Sequence, residues 1–166
     1  MSKNNCIFVW LIFLTDIMKT TEIQLNDFSL RQVEDFVSAI CYDNHLDNYL
    51  ATMAVPVLKA VEFVIQSCSG KPDVPVVNLK SENNHKGIAF TVSSQYSCFS
   101  IPSTDFFSDS SYDSIYLTRL LADEVNVVDD GRSIRMTFFV RGIDEREAER
   151  RMSVLNHHYS PVTVEA

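Results

Sequence analysis

The chain has 166 residues, 46% of them apolar and 22% charged, an ordinary balance for one globular domain with room for a sizeable core. Its formal charge of −8 argues against nucleic acid or an anionic membrane surface as partner, because those polyanions are held by clustered Lys and Arg. Cys6, Cys41, Cys68 and Cys98 form no CxxC pair and have no His at ligand spacing. They are therefore expected as reduced thiols in a cytoplasmic protein, not as a disulfide scaffold or a zinc site.

Residues 1–17 stand apart. Nine apolar residues run from Cys6 to Leu14 behind a single Lys3. Nine cannot span a bilayer, where about twenty are needed, and Leu14-Thr15-Asp16-Ile17 offers no small-residue cleavage site. Met18-Lys19-Thr20-Thr21 reads as a natural chain start. An extension or misplaced start, a weak membrane or signal segment, and an element of the domain all stay open for 1–17, and no firm membrane association is expected.

From Thr21 to Leu25 polar and apolar residues alternate, the period of a half-buried first strand. Cap-type side chains follow at Asn26, Asp27 and Ser29, and Val33, Phe36, Val37 and Ile40 recur at helical spacing, which predicts a helix over 29–42. A second helical stretch begins near Asp47, carries Met53, Val57, Val61 and Val64 on one face, and is closed by Gly70 and Pro72. Pro56 lies inside it and predicts either a kink or two helices with Pro56 in the first turn of the second.

Residues 74–80 and 87–94, rich in β-branched and aromatic side chains around a polar run at 81–86, read as a hairpin. Residues 96–112 lack regular periodicity, and Ile115, Leu117, Leu120 and Leu121 mark a short helix ending near Asp123. A second hairpin is expected over 124–128 and 134–140, around the Asp130-Gly131 turn signal. The charged run from Asp144 to Arg151, in which Glu147 can pair with Arg151, reads as a solvated helix.

The order is β-α-α-ββ-α-ββ. It predicts an α+β fold, a two-layer α/β sandwich of mostly antiparallel sheet with the helices on one face. The expected division is residues 1–17 as the extension, 18–142 as the domain and 143–166 as a charged C-terminal helix and tail.

That order, with Lys59-Ala60-Val61-Glu62-Phe63-Val64 on the second helix and Leu121-Ala122-Asp123-Glu124-Val125 ending the third, resembles the GHKL, or histidine-kinase-like, ATPase superfamily and its Bergerat-type sandwich. Within it the chain looks most like the small bacterial anti-sigma-factor serine kinases. The resemblance covers roughly residues 21–142 and implies a Glu that assists the nucleophile, an Asn that holds Mg²⁺, an Asp-x-Gly-x-Gly that reads adenine, and a Gly-x-Gly that receives phosphates. At the matching positions this chain has Lys59 and Phe63, then Ser94, Tyr96 and Cys98, then Tyr112 and Ser114.

Lysine is no base at neutral pH without a strong pKa drop, and phenylalanine offers a metal no oxygen. Tyr96 and Cys98 place side chains where backbone would approach the ligand, while Asp113 adds negative charge at a phosphate-binding helix start. Only four glycines occur in the chain, and each sits at a turn or cap. The resemblance thus implies a degenerate member without catalytic, cofactor-binding or metal residues. Its expected partner is a regulatory protein of the sigma-factor or anti-sigma-antagonist type, or a second copy of the chain. Two alternatives stay open: an active serine/threonine kinase using ATP and Mg²⁺ in a rearranged site, and a small-molecule sensor in the vacated pocket.

The remaining candidates read as structural. Ser93, Ser94, Ser97 and Ser100 with His85 lack a Gly-x-Ser-x-Gly elbow, and His157-His158 lack a second ligand cluster. Lys59 is expected to run its stem along apolar surface. Phe63, Tyr96 and Phe99 either line a new pocket or fill the old one as core, and Phe106-Phe107 either tuck under the loop or anchor a partner.

Overall fold

The computed structural model describes residues 18–26, 28–68, 76–83, 87–99, 110–140 and 145–160, with the side chains of 110–115, 145, 147 and 148 outside that description. The apolar stretch 6–14, the stop at Gly70 and Pro72, His85, Ser100, Phe106-Phe107 and Gly142 therefore lie outside the described residues. In chain order the elements are β1 (Lys19–Gln24), α1 (Ser29–Asp43), α2 (Leu50–Cys68), β2 (Val76–Asn83), β3 (Gly87–Ser94), α3 (Ser110–Leu121), β4 (Glu124–Val128), β5 (Ser133–Phe139) and α4 (Glu145–Tyr159). The protein is α+β, with a five-stranded antiparallel sheet in the order β1-β2-β3-β5-β4 and four helices among the described residues.

Strand alternation sorts the sheet into two unlike faces. Register places Thr21, Leu79, Val92, Ile134 and Val127 in one cross-strand row and Ser81, Phe90, Met136 and Val125 in the next. These rows face the core, where Leu79, Phe90, Val92, Ile134 and Met136 are fully buried. Phe90 makes edge-on ring contacts with Phe36 of α1 and Phe138 of β5, at centroid distances of 6.5 and 6.1 Å. The opposite face carries Thr20, Lys80, Thr91, Arg135 and Asn126 in register. There Glu82 accepts hydrogen bonds from Lys80, at 2.7 Å, and from Arg135, two strands away across β3.

The first helix ends by a device that contains no glycine. His45 takes a left-handed backbone, φ 56°, while its N–H donates to the Tyr42 carbonyl and the Leu46 N–H to the Cys41 carbonyl. This is a Schellman motif with histidine at the position glycine usually fills. Its side chain is exposed, so the strain is borne by the backbone alone.

The second helix runs unbroken through Pro56 after a short 3₁₀ turn at Asp47–Tyr49, so the alternative of two separate helices is not what forms. An interior proline costs about 3 kcal/mol because a donor is lost and the ring crowds the preceding turn. Tertiary burial offsets it: Thr52, Met53, Ala54, Val55, Pro56 and Val57 are all buried. Residues 47–68 are long and apolar enough to cross a membrane by composition, but half of that window is buried inside the fold, as suits a core helix.

The last helix also departs from expectation. It is docked, because Leu155 is buried with Val55 of α2 and Leu121 of α3, flanked by Leu117 and Val154. Arg151 is buried too, and pairs with Asp123, the residue before β4, while the side chain of Glu147 lies outside the described residues. Arg151 and Leu155 are one turn apart, so the buried side of α4 begins where the charged run ends.

Candidate functional site

The positions singled out by the resemblance lie mainly on α2 and on the segment leaving β3. α2 presents Met53, Val57, Ala60, Val61 and Val64 to the main core and Val55 to α3 and α4, which leaves a narrow side for Lys59, Glu62 and Phe63. There Lys59 Nζ lies 2.7 Å from Glu62 Oε2, with both side chains about one quarter exposed (25% and 29%). Lys59 is thus engaged in an i,i+3 ion pair on its own helix. Phe63, one turn on, stacks on Phe99 with ring centroids 5.9 Å apart and planes at 21°.

Phe99 is brought there by a tightly tied segment. At the end of β3 the Ser94 hydroxyl is turned toward the helices and accepts the Tyr96 N–H at 3.1 Å, a Ser turn that starts the chain's departure from the sheet. The Cys98 thiol lies 3.7 Å from the same oxygen. The N–H groups of both Cys98 and Phe99 then donate to the Gly131 carbonyl, at 2.9 and 2.8 Å, while the Ser97 hydroxyl donates to the Asp130 carbonyl at 2.7 Å.

Gly131 has φ +82°, and a Cβ there would stand 2.5 Å from the Phe99 carbonyl oxygen. The hairpin turn between β4 and β5, recognisable from Asp130-Gly131, is therefore also the dock for residues 97–99. Sequence reasoning found the turn and missed the dock, because nothing local links positions 33 residues apart, as Ser97 and Asp130 are.

Phe99 ends up 4% exposed within the main core, and Phe63, Tyr96 and Cys98 pack half-buried against that core. Phe63 and Phe99 are in mutual contact, Phe99 within the core and Phe63 packed against it. The structure thus brings Phe63, Ser94, Tyr96 and Cys98 into one neighbourhood, with Lys59 a turn away on α2. Tyr112 and Ser114 belong to the first turns of α3, and their side chains lie outside the described residues.

The serine candidates serve structure. Besides Ser94 and Ser97, Ser93 Oγ accepts a hydrogen bond from Ser133 Oγ at 2.9 Å across the β3–β5 ladder. His157 and His158 are exposed near the end of α4, with the His158 ring edge-on to Tyr159. Among the described residues, no group of three or more His, Cys, Asp or Glu is placed to hold a metal ion. A separate cavity of about 200 Å³ opens between the end of α1 and the β1–β2 edge, where Lys19 pairs with Asp43 and Asn83 Nδ2 donates to Asn44 Oδ1 at 2.9 Å. Its polar walls are mutually engaged.

No protein-family model matches the chain, and no curated protein matches it.

Proposed function

We propose that the chain is a non-catalytic regulatory module that binds another protein, built on the histidine-kinase-like sandwich of the anti-sigma-factor kinases, with its nucleotide site refilled by side chains. The element order β-α-α-β-β-α-β-β through β5 supports this reading, as does the Leu121-to-Val125 run that carries α3 into β4. One observation carries it. Phe63, which stands where the kinases hold their magnesium ligand, is stacked on the buried Phe99, in the segment that stands for their adenine-reading loop. A nucleotide would have to displace an aromatic pair whose burial and stacking favour the closed arrangement.

Lys59, at the position of the catalytic carboxylate, is tied to Glu62 and offers a substrate hydroxyl no carboxylate base. The partner is of the sigma-factor or anti-sigma-antagonist type, or a second copy of the chain, acting in the cytoplasm. Fold alone does not select among these.

The reading is tested by purifying the full chain from its own cells without nucleotide, identifying what co-elutes, and incubating the complex with labelled MgATP. A stoichiometric complex with a regulatory protein of those classes and no transferred label is expected. Phosphate transfer to the partner, abolished in Lys59→Ala, would instead establish an active kinase.

A further inference from the structure

We propose that Cys68 and Cys98 form a reversible, oxidation-driven disulfide that locks the end of α2 to the segment leaving β3. Cys68 is the last residue of α2 and is 4% exposed, whereas Cys98 is half-buried beside Phe99. Their sulfurs are 3.8 Å apart, in van der Waals contact. A disulfide bond is about 2.05 Å long, so small rotations of the two side chains close the gap. Cys98 is already held in place, through its own N–H and that of Phe99 on the Gly131 carbonyl.

The two thiols have unequal access, and this fixes the order of the chemistry. The oxidant is a peroxide, which reaches Cys98 first. The Cys98 thiolate attacks one peroxide oxygen, the O–O bond breaks, the other oxygen leaves as water after taking a proton, and a sulfenic acid remains. The Cys68 sulfur then attacks the Cys98 sulfur. The S–S bond forms, the S–O bond breaks, and the hydroxyl leaves as water with the Cys68 proton. Together the two thiols give up two electrons and two protons, and one peroxide becomes two waters.

Cys41 supplies the contrast within the same chain. It is 1% exposed, its thiol rests 3.7 Å from the Met53 sulfur, and burial together with Asp47 pushes its pKa up to about 11. It lacks both the access and the thiolate character that selective oxidation requires. The consequence of the crosslink is local: α2 also meets this segment through the Phe63–Phe99 stack, so oxidation fixes the packing of α2 on the 95–99 segment.

The test uses the full, reduced chain treated with hydrogen peroxide, then alkylated and analysed by intact mass and peptide mapping. The expected result is a loss of two hydrogens, two of the four cysteines protected from alkylation, and a single linked peptide pair containing Cys68 and Cys98, all reversed by dithiothreitol. The crosslinked form should melt about 5 °C or more above the reduced form, since a closed loop restrains the unfolded chain. In Cys68→Ala, which lacks the resolving sulfur, Cys98 should stop at a sulfenic acid that dimedone traps. Accumulation of Cys98 sulfinic acid in the unsubstituted chain, linkage through Cys6 or Cys41 instead, or an unchanged or lowered melting temperature would overturn the proposal.

Discussion

Asp123 ties three elements together through its polar groups. One carboxylate oxygen accepts from the buried Arg151 and the other accepts the Phe139 N–H at 2.6 Å, while its own N–H donates to the Thr137 carbonyl at 2.9 Å. It therefore joins the end of α3, the β4–β5 ladder and α4. Removing the carboxylate breaks its ion pair with the buried Arg151 and its bond to the Phe139 N–H, so Asp123→Ala should lower stability by about 3 kcal/mol, read from urea-denaturation midpoints. A loss well under 1 kcal/mol would mean that α4 does not depend on this pair.

Glu82 behaves differently, because its partners are partly solvated. The hydrogen bond from Lys80, opposed by desolvation and reinforced by Arg135, holds its carboxyl below the ordinary glutamate value. A carboxyl depressed on folding stabilises the native state above the unfolded value of about 4.3, and that contribution is lost as pH falls through the lower folded value. Glu82→Gln should therefore reduce stability at neutral pH modestly and flatten the acid limb of the stability curve. Added salt should narrow the difference between the two proteins, since Lys80 and Arg135 are more than a third exposed (38% and 36%).

At the scale of elements, the left-handed His45 is a specific weakness of α1. Glycine enters that conformation without a Cβ clash, so His45→Gly should raise stability by about 0.5–1 kcal/mol, measured as an upward shift in the urea midpoint. Destabilisation instead would show that the His45 side chain contributes contacts outweighing its backbone strain.

The same elements show what can be read without coordinates. Alternation around Ile23, and helical spacing at Val33, Val37 and Ile40, reported buried positions faithfully, because each face is a local, periodic property of the chain. Pro56 misleads because its local penalty is outweighed by burial that only the tertiary fold supplies. Arg151 misleads because a charged run signals solvent until a partner 28 residues upstream is brought to it. The Phe63–Phe99 stack and the Cys68–Cys98 contact are not legible in the sequence, since nothing in either segment records the distance between them.

For the whole molecule, the two faces of the sheet divide the labour. The apolar face and α2 build the core, and the polar face carries the Lys80-Glu82-Arg135 network in water's reach. The described part of the resembled nucleotide site belongs to the first of these, with Phe99 buried, Phe63 stacked on it and Lys59 tied to Glu62. On the proposed reading, recognition falls to the surface, and stability is expected not to depend on nucleotide.

The most direct measurement is the melting temperature of the reduced full chain across a titration of MgATP and MgADP to millimolar concentration. A ligand present at a hundred times its dissociation constant adds about 2.7 kcal/mol to the native state, which for a chain of this size is a rise of about 5 °C or more. The melting temperature is predicted to stay unchanged for both nucleotides. A saturable rise with a midpoint in the micromolar range would contradict the account at its centre, because it would mean that nucleotide enters where Phe63 and Phe99 are packed.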